Sequence, residues 1–300
     1  MQKYLIVVSG PTAIGKTALS LDIAKKYNSE IISCDSRQFF KEMSIGTAVP
    51  SKDELEEVKH HFIQNMSIAD TYSVGKFERD ALSKIEELHK SSNIVVMVGG
   101  SGLYIDAVCR GLDDFPTVSK ELRDELNNRC KTEGIEVIAN ELQLIDPEYH
   151  KIVDKLNPHR IVRALEIYKA SGKTFTSFRI RQQQQRNFKI VKVILSRDRE
   201  ELYQRINKRV DIMLEQGLLE EVKSVYQYKD NNALQTVGYK ELFAHLDGEI
   251  SLEFAISEIK KNTRRYAKRQ MTWFRRDSET VFFNPEEPKT VFSYLENYFS

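Results

Sequence analysis

Residues 10–17 read Gly-Pro-Thr-Ala-Ile-Gly-Lys-Thr, a spacing able to cradle a polyphosphate. The apolar run Tyr4-Leu5-Ile6-Val7-Val8 precedes this stretch and Ala18 to Ala24 follows it, so the motif falls where a strand turns into a helix. Gly10 and Gly15 let the backbone curl until N–H groups point inward, and the helix N-terminus adds partial positive charge. Pro11, Thr12, Ala13 and Ile14 complete the loop. Lys16 contributes a full charge, and Thr17 offers a hydroxyl to a Mg²⁺ ion shared with the phosphates. The loop specifies a polyphosphate and leaves open what is attached to it. Asp35 follows the short run Glu30-Ile31-Ile32-Ser33, and ligand crevices in open α/β sheets lie outside the carboxyl ends of strands. Asp35 should therefore emerge beside the phosphate loop. An ordinary P-loop ATPase carries an acid at the end of a nearby strand, whereas Asn93 to Val98 runs into Gly99-Gly100-Ser101-Gly102. Asp35 is then the only carboxylate that the sequence puts near the phosphates. It can assist the metal, serve as a general base toward a nucleophile, or cap the segment that follows it.

A second concentration of chemistry spans 260–276, with Lys260, Lys261, Arg264, Arg265, Lys268, Arg269, Arg275 and Arg276 and no acid among them. Placed on a helix, Ile256, Ile259, Thr263, Tyr266, Ala267, Gln270 and Phe274 share one stripe, and the cations occupy the rest. One face packs and the other is positive, which favours phosphate-backbone contact over a plain solvated face. Arg160 and Arg163, three apart in the helix after Pro158, could also grip phosphates, although an ion pair from Arg163 to Glu166 would explain one of them. His60 and His61 fall in an expected helix from about Lys52 to His61, opened by Ser51 and Glu54 at capping-box spacing, where adjacent side chains diverge by about 100° and make a poor metal pair.

These residues need a scaffold to hold them. Strands are expected at the first apolar run, at Glu30–Ser33, at Asn93–Val98, at Phe188–Leu195 and at Thr280–Phe283, with helices between them. The third strand is almost wholly apolar and should be central. Asp113-Asp114-Phe115-Pro116 reads as a boundary, after which Ser119 to Gln185 is helical, with Asn157 as N-cap, Pro158 at the first helical position and Gly172 just past the end. Gln182 to Gln185, among Arg179, Arg181 and Arg186, reads as an exposed polar connection. The chain thus divides into 1–112, 113–185 and 186–300, the outer two forming one core. A net charge of +1 excludes a globally basic coat, so any nucleic-acid surface must be a local patch. Cys34, Cys109 and Cys130 are widely separated, which fits a reducing cytosol and no structural zinc. No basic-then-apolar leader and no run of membrane-spanning length is present, so a cytoplasmic protein without membrane contact is expected.

Residues 10–17, Asp35-Ser36-Arg37-Gln38, Ile45-Gly46-Thr47-Ala48, residues 99–104, His159 to Glu166, Val237 to Glu241 and Lys268 to Arg275 together resemble the bacterial tRNA dimethylallyltransferases, in order along nearly the whole chain. The resemblance implies a P-loop NTPase-like α/β core with a helical insertion that closes over a tRNA anticodon stem-loop. It implies transfer of a dimethylallyl group from dimethylallyl diphosphate to N6 of the adenosine 3′ to the anticodon, with Mg²⁺ as cofactor. By similarity, Lys16 and Thr17 stabilise the leaving diphosphate, Asp35 deprotonates the amine, and Ser36, Arg37 and Gln38 meet the extruded base. Ser101, where the family more often has threonine, would lie near the substrate. Arg123, His159, Arg160, Ile161, Val162 and Arg163, and Gln235, Thr236, Val237, Gly238, Tyr239 and Lys240, would touch tRNA, with Arg264 and Arg265 added by the basic face. A monomer is expected. Two other readings stay open: an adenylate prenyltransferase using free AMP or ADP, which would have no use for the basic helix, and a P-loop kinase or ATPase acting on RNA.

Overall fold

The computed structural model describes residues 2–179, 184–277 and 280–299. Arg181, Gln182 and Gln183 of the polar connection lie outside the described residues. The chain divides into two compact units, Met1–Arg110 with Gln185–Ser300, and Gly111–Gln184.

In the first unit β1 (Tyr4–Ser9) runs through the phosphate-loop motif into α1 (Lys16–Lys26). β2 (Ile31–Ser33), α2 (Lys52–Glu57), β3 (His60–His61), α3 (Val74–Leu88), β4 (Ile94–Gly99) and α4 (Gly102–Arg110) follow. The second unit holds α5 (Lys120–Thr132), α6 (Ile135–Ile145), α7 (Pro147–Ile152), α8 (Pro158–Ser171) and α9 (Phe175–Phe178). The chain then returns to the first unit with β5 (Lys189–Leu195), α10 (Arg199–Glu215), α11 (Leu218–Ser224), α12 (Tyr239–Leu246), α13 (Leu252–Phe274), β6 (Phe282–Phe283) and α14 (Pro288–Phe299).

The strands form one sheet in the order β3-β2-β4-β1-β5-β6, each pairing parallel. Ile6 stands between Val96 of β4 and Val191 of β5. Side chains alternate between the faces of a strand, so Leu5 and Val7 pack with Phe39, Phe77 and Leu242, while Ile6 and Val8 pack with Leu19, Ile23 and Ile206. Both faces are covered, which is why Leu5 to Val8 of β1 and Ile94 to Val98 of β4 are apolar throughout.

The expected helix from Lys52 to His61 is a correction. Ser51 and Glu54 do form a capping box at its start, but α2 stops at Glu57 because Val58 is extended, with φ −142° and ψ 132°. His60 and His61 then pair with Ile31 and Ile32 as a parallel edge strand. The apolar period of a short helix next to a two-residue strand carries too little signal to separate them.

The second unit has its own core of Leu126, Ile138, Leu142, Ile161 and Leu165. Local chemistry sets its helix ends: Asn157 accepts from the N–H of Arg160, Pro158 sits in the first turn of α8, and Gly172 ends it in the left-handed region at φ 71°. Buried Asp146 caps α7 through the N–H of Tyr149 and also accepts from the N–H and hydroxyl of Thr176, tying α9 to α7.

Candidate active site

β1 delivers the phosphate loop to the carboxyl edge of the sheet. Gly10 adopts φ 146°, and a Cβ there would stand 2.7 Å from the carbonyl oxygen of Leu195 at the end of β5. Glycine is therefore required by both backbone angle and space. The Lys16 ammonium folds back over the loop and donates to the carbonyls of Gly10 at 3.1 Å and Pro11 at 2.8 Å. Burial pulls its pKa down to about 8, against the nearby charge of Asp35 and with the help of Arg209. Buried Gln270 of α13 fastens the loop from outside: it accepts from the N–H of Thr12 at 2.9 Å and donates to the carbonyl of Gly100 at 2.8 Å.

Asp35 follows β2 directly. Its Oδ1 accepts from the N–H of Arg37 at 3.0 Å, so it does cap the next segment. No hydrogen bond among the described residues falls on Oδ2. Ser101 stabilises the same segment, accepting from the N–H of Ser36 at 3.1 Å and donating to its hydroxyl at 3.2 Å. Burial, followed by the charge of Asp35, pushes the pKa of the Tyr266 phenol up to about 12.

A cavity of about 620 Å³ opens between these loops and the helices after β5. Lys16, Arg37, Arg205, Lys208 and Arg209 face it against only Asp35 and Glu54, while Met213, Leu218, Val237 and Ile259 make an apolar wall. Such a space concentrates anions and can hold an apolar group beside them. Arg205 donates from Nε to the carbonyl of Ala13 at 3.0 Å. Burial lowers the pKa of Arg209, with Asp35 as the opposing charge, and no ion pair among the described residues engages its guanidinium. Sequence reasoning missed Arg205 and Arg209; their four-residue spacing, which puts them on one face of α10, was the available signal.

Of the residues singled out from the sequence, Thr12 to Thr17, Asp35, Arg37, Gln38 and 236–238 line this cavity. Arg37 also donates to the carbonyls of Asn232 and Ala233, each at 3.0 Å. Gln235 donates to the carbonyl of Lys229, and Lys240 is exposed. The side chain of Tyr239 is fully buried and its hydroxyl donates to Glu221 at 2.6 Å. The side chains of Ile161 and Val162 likewise pack inward, in the core of the second unit. His159 and Arg160 beside them are exposed. Arg123 and Arg163 both bond the buried carboxylate of Glu166, Arg123 through two bonds of 2.9 and 3.0 Å.

The basic face of α13 exists, with the expected stripe of Ile259, Ala267, Gln270 and Phe274 buried beneath it. It is partly neutralised by acids outside 260–276: Lys260 pairs with Asp211 of α10 and Lys261 with Glu258. Arg264 donates to Asn207 at 2.7 Å and lies over the Tyr203 ring, whereas Arg265, Lys268 and Arg269 remain exposed.

β4 ends in glycine where a P-loop ATPase would keep its metal-holding acid. The parallel sheet, the glycine-rich loop at its carboxyl edge and the cationic cavity beside it define a P-loop α/β protein. The family profile described as IPP transferase matches residues 38–277. A tRNA dimethylallyltransferase of Christiangramia forsetii is 56% identical over 298 residues, covering 99% of each chain. A tRNA dimethylallyltransferase 1 of Bacteroides fragilis is 50% identical over 294 residues, 98% of each. Among solved structures, the full-length tRNA isopentenylpyrophosphate transferase of Bacillus halodurans matches with a TM-score of 0.72 and 35% identity, over 99% of this chain and 96% of that one. A eukaryotic dimethylallyltransferase acting on tRNA matches with a TM-score of 0.77 and 31% identity, over 91% of this chain and 70% of that one. The chain belongs to the IPP transferase family.

Proposed function

We propose that this enzyme transfers a dimethylallyl group from dimethylallyl diphosphate to N6 of the adenosine 3′-adjacent to a tRNA anticodon. One observation carries the reading: a single cavity has on its lining a phosphate loop, an apolar wall, and Arg209 and Asp35, where among the described residues the guanidinium of Arg209 has no ion pair and Oδ2 of Asp35 no hydrogen bond. The loop amides, Lys16 and Arg209 would hold the diphosphate and stabilise its charge as the allylic C1–O bond breaks onto oxygen. The N6–C1 bond forms, and the N6 proton passes to Oδ2 of Asp35. An exocyclic amine is a weak nucleophile, so alignment against a pre-stabilised leaving group supplies much of the rate. Ser36, Arg37 and Gln38 would surround the extruded base.

The Thr17 hydroxyl and the Asp35 carboxylate line one small chamber beside Lys16. These are hard oxygen donors, and no group of three metal-ligating side chains gathers among the described residues. That set fits magnesium, which commonly takes one or two protein ligands and completes its shell with phosphates and water. When bound there, the ion would neutralise charge on the diphosphate.

The exposed cations of α13, with His159, Arg160, Arg123 and Arg163, would meet the RNA backbone, and the helical unit would serve as the stem-loop-binding insertion. Since one chain supplies both the donor cavity and the carboxylate, the monomer is the working unit, and the tRNA acceptor makes the cytoplasm its site of action. Labelled dimethylallyl diphosphate, offered with an anticodon stem-loop or with AMP, tests the proposal. Label should enter the stem-loop alone. Incorporation into AMP only, or ATP turnover without prenyl transfer, would sink it.

A further inference from the structure

We infer that Glu221 is a positioning residue for this transfer, holding segment 44–48 as a cavity wall and, through it, the loop that carries Asp35. The inference rests on the transfer reading above. Segment 44–48 forms no regular element, yet Gly46, Thr47 and Ala48 line the cavity. Something must fix it. Three successive N–H groups, those of Ser44, Ile45 and Gly46, converge on the Glu221 carboxylate at 2.9, 2.7 and 2.9 Å. A backbone curled so that consecutive amides face one point is an anion nest, and here the anion belongs to α11. The Tyr239 hydroxyl adds a fourth donor at 2.6 Å. Hydrogen bonds to a charged acceptor are about twice as strong as neutral ones. At Gly46 a Cβ would lie 2.6 Å from the Tyr239 ring, so the segment is pressed against the residue that shares its anchor.

The carbonyl side of the segment is held from the opposite direction. Gln38 donates to the carbonyls of Thr47 at 3.2 Å and Ala48 at 2.9 Å. Its Oε1 accepts from the Ser33 hydroxyl at 3.2 Å, and that hydroxyl accepts from the N–H of Asp35 at 3.4 Å. A continuous run of hydrogen bonds therefore links α11 to the backbone of the proton acceptor. Glu221 is absent from the cavity lining, so it acts through this chain and not on substrate.

The test is steady-state transfer to a stem-loop by the full-length protein, comparing wild type with Glu221→Gln, Tyr239→Phe and Gln38→Ala. In Glu221→Gln an amide nitrogen must face donors in either orientation, releasing part of the segment. We expect kcat to fall about 10-fold or more while KM for the stem-loop stays within about threefold. Amide exchange at 44–48 should speed up at least about tenfold. Tyr239→Phe should give a smaller loss. Because Glu221 and Gln38 hold one segment, the double variant should be little worse than Gln38→Ala alone. An unchanged kcat, additive losses, or a kcat loss accounted for by unfolded protein in an active-site titration would each overturn the inference. A wild-type chain that transfers nothing to the stem-loop would instead overturn the transfer reading, and the inference with it.

Discussion

The two oxygens of Asp35 have different work, and that makes its roles separable. Oδ1 caps the N–H of Arg37, and Oδ2 is the proton acceptor in the proposed reaction. Asp35→Asn keeps an oxygen for the cap and removes the base, whereas Asp35→Ala removes both. Both variants should lose at least about 100-fold in transfer rate, with stem-loop affinity within a few-fold by filter binding. Substantial turnover in Asp35→Asn would assign the residue to capping alone. Lys16 gives a pH prediction. Its pKa in the folded protein is about 8, below the ordinary 10.5. Only the protonated form attracts diphosphate, so affinity should decline as pH rises through about 8, by up to about tenfold per unit. The diphosphate titrates as well. The ratio of dissociation constants for wild type and Lys16→Met, measured by calorimetry across that range, isolates the lysine; a flat ratio would remove it from the anion site. The same shift weighs against folding at neutral pH, and this penalty fades as pH climbs from about 8 toward 10.5.

The helices show which parts of such a site can be read from local sequence. The phosphate loop, the Ser51 and Asn157 caps and the stripe of α13 were legible because each depends on residues within a turn or two. Arg209 was not, because its meaning arises only when α10 packs beside the loop. Gln270 falls on the apolar stripe by spacing, and its bridge between Thr12 and Gly100 joins residues 258 and 170 positions away. Glu221 likewise serves amides more than 170 positions upstream. Tertiary context also redistributes the basic face. Arg264 is engaged by Asn207 and Tyr203, and Lys260 by Asp211, which leaves Arg265, Lys268 and Arg269 as the freer cations. Neutralising those three to glutamine should weaken stem-loop binding and lower the log–log salt slope by about one for each phosphate that is no longer neutralised. Arg264→Gln alone should change the slope less. If the triple variant keeps the wild-type slope between low and physiological salt, the face does not touch RNA.

At the scale of the whole chain, the sheet is interrupted between α4 and β5 by a unit that carries its own core. In the proposed reaction, donor binding draws on the sheet-containing unit alone, whereas acceptor recognition draws on both units. Every residue proposed to grip the diphosphate belongs to the sheet-containing unit, whereas Arg123, His159, Arg160 and Arg163 belong to the helical one. Ligands should accordingly leave different footprints. Binding protects amides that would otherwise open locally, and the protection follows the contacts made. Inorganic diphosphate with magnesium should slow hydrogen exchange at 10–17 and in α10 while leaving 111–179 unchanged. An anticodon stem-loop should instead slow exchange around 159–163 as well as along the exposed face of α13. Mass spectrometry of the intact chain with each ligand reads both patterns in one experiment. If the stem-loop protects only the sheet-containing unit, the helical unit has some other task, and the acceptor must be recognised by α13 and the cavity alone. If diphosphate by itself protects 159–163, the division of labour fails, because donor binding would then be felt where only RNA contact is proposed.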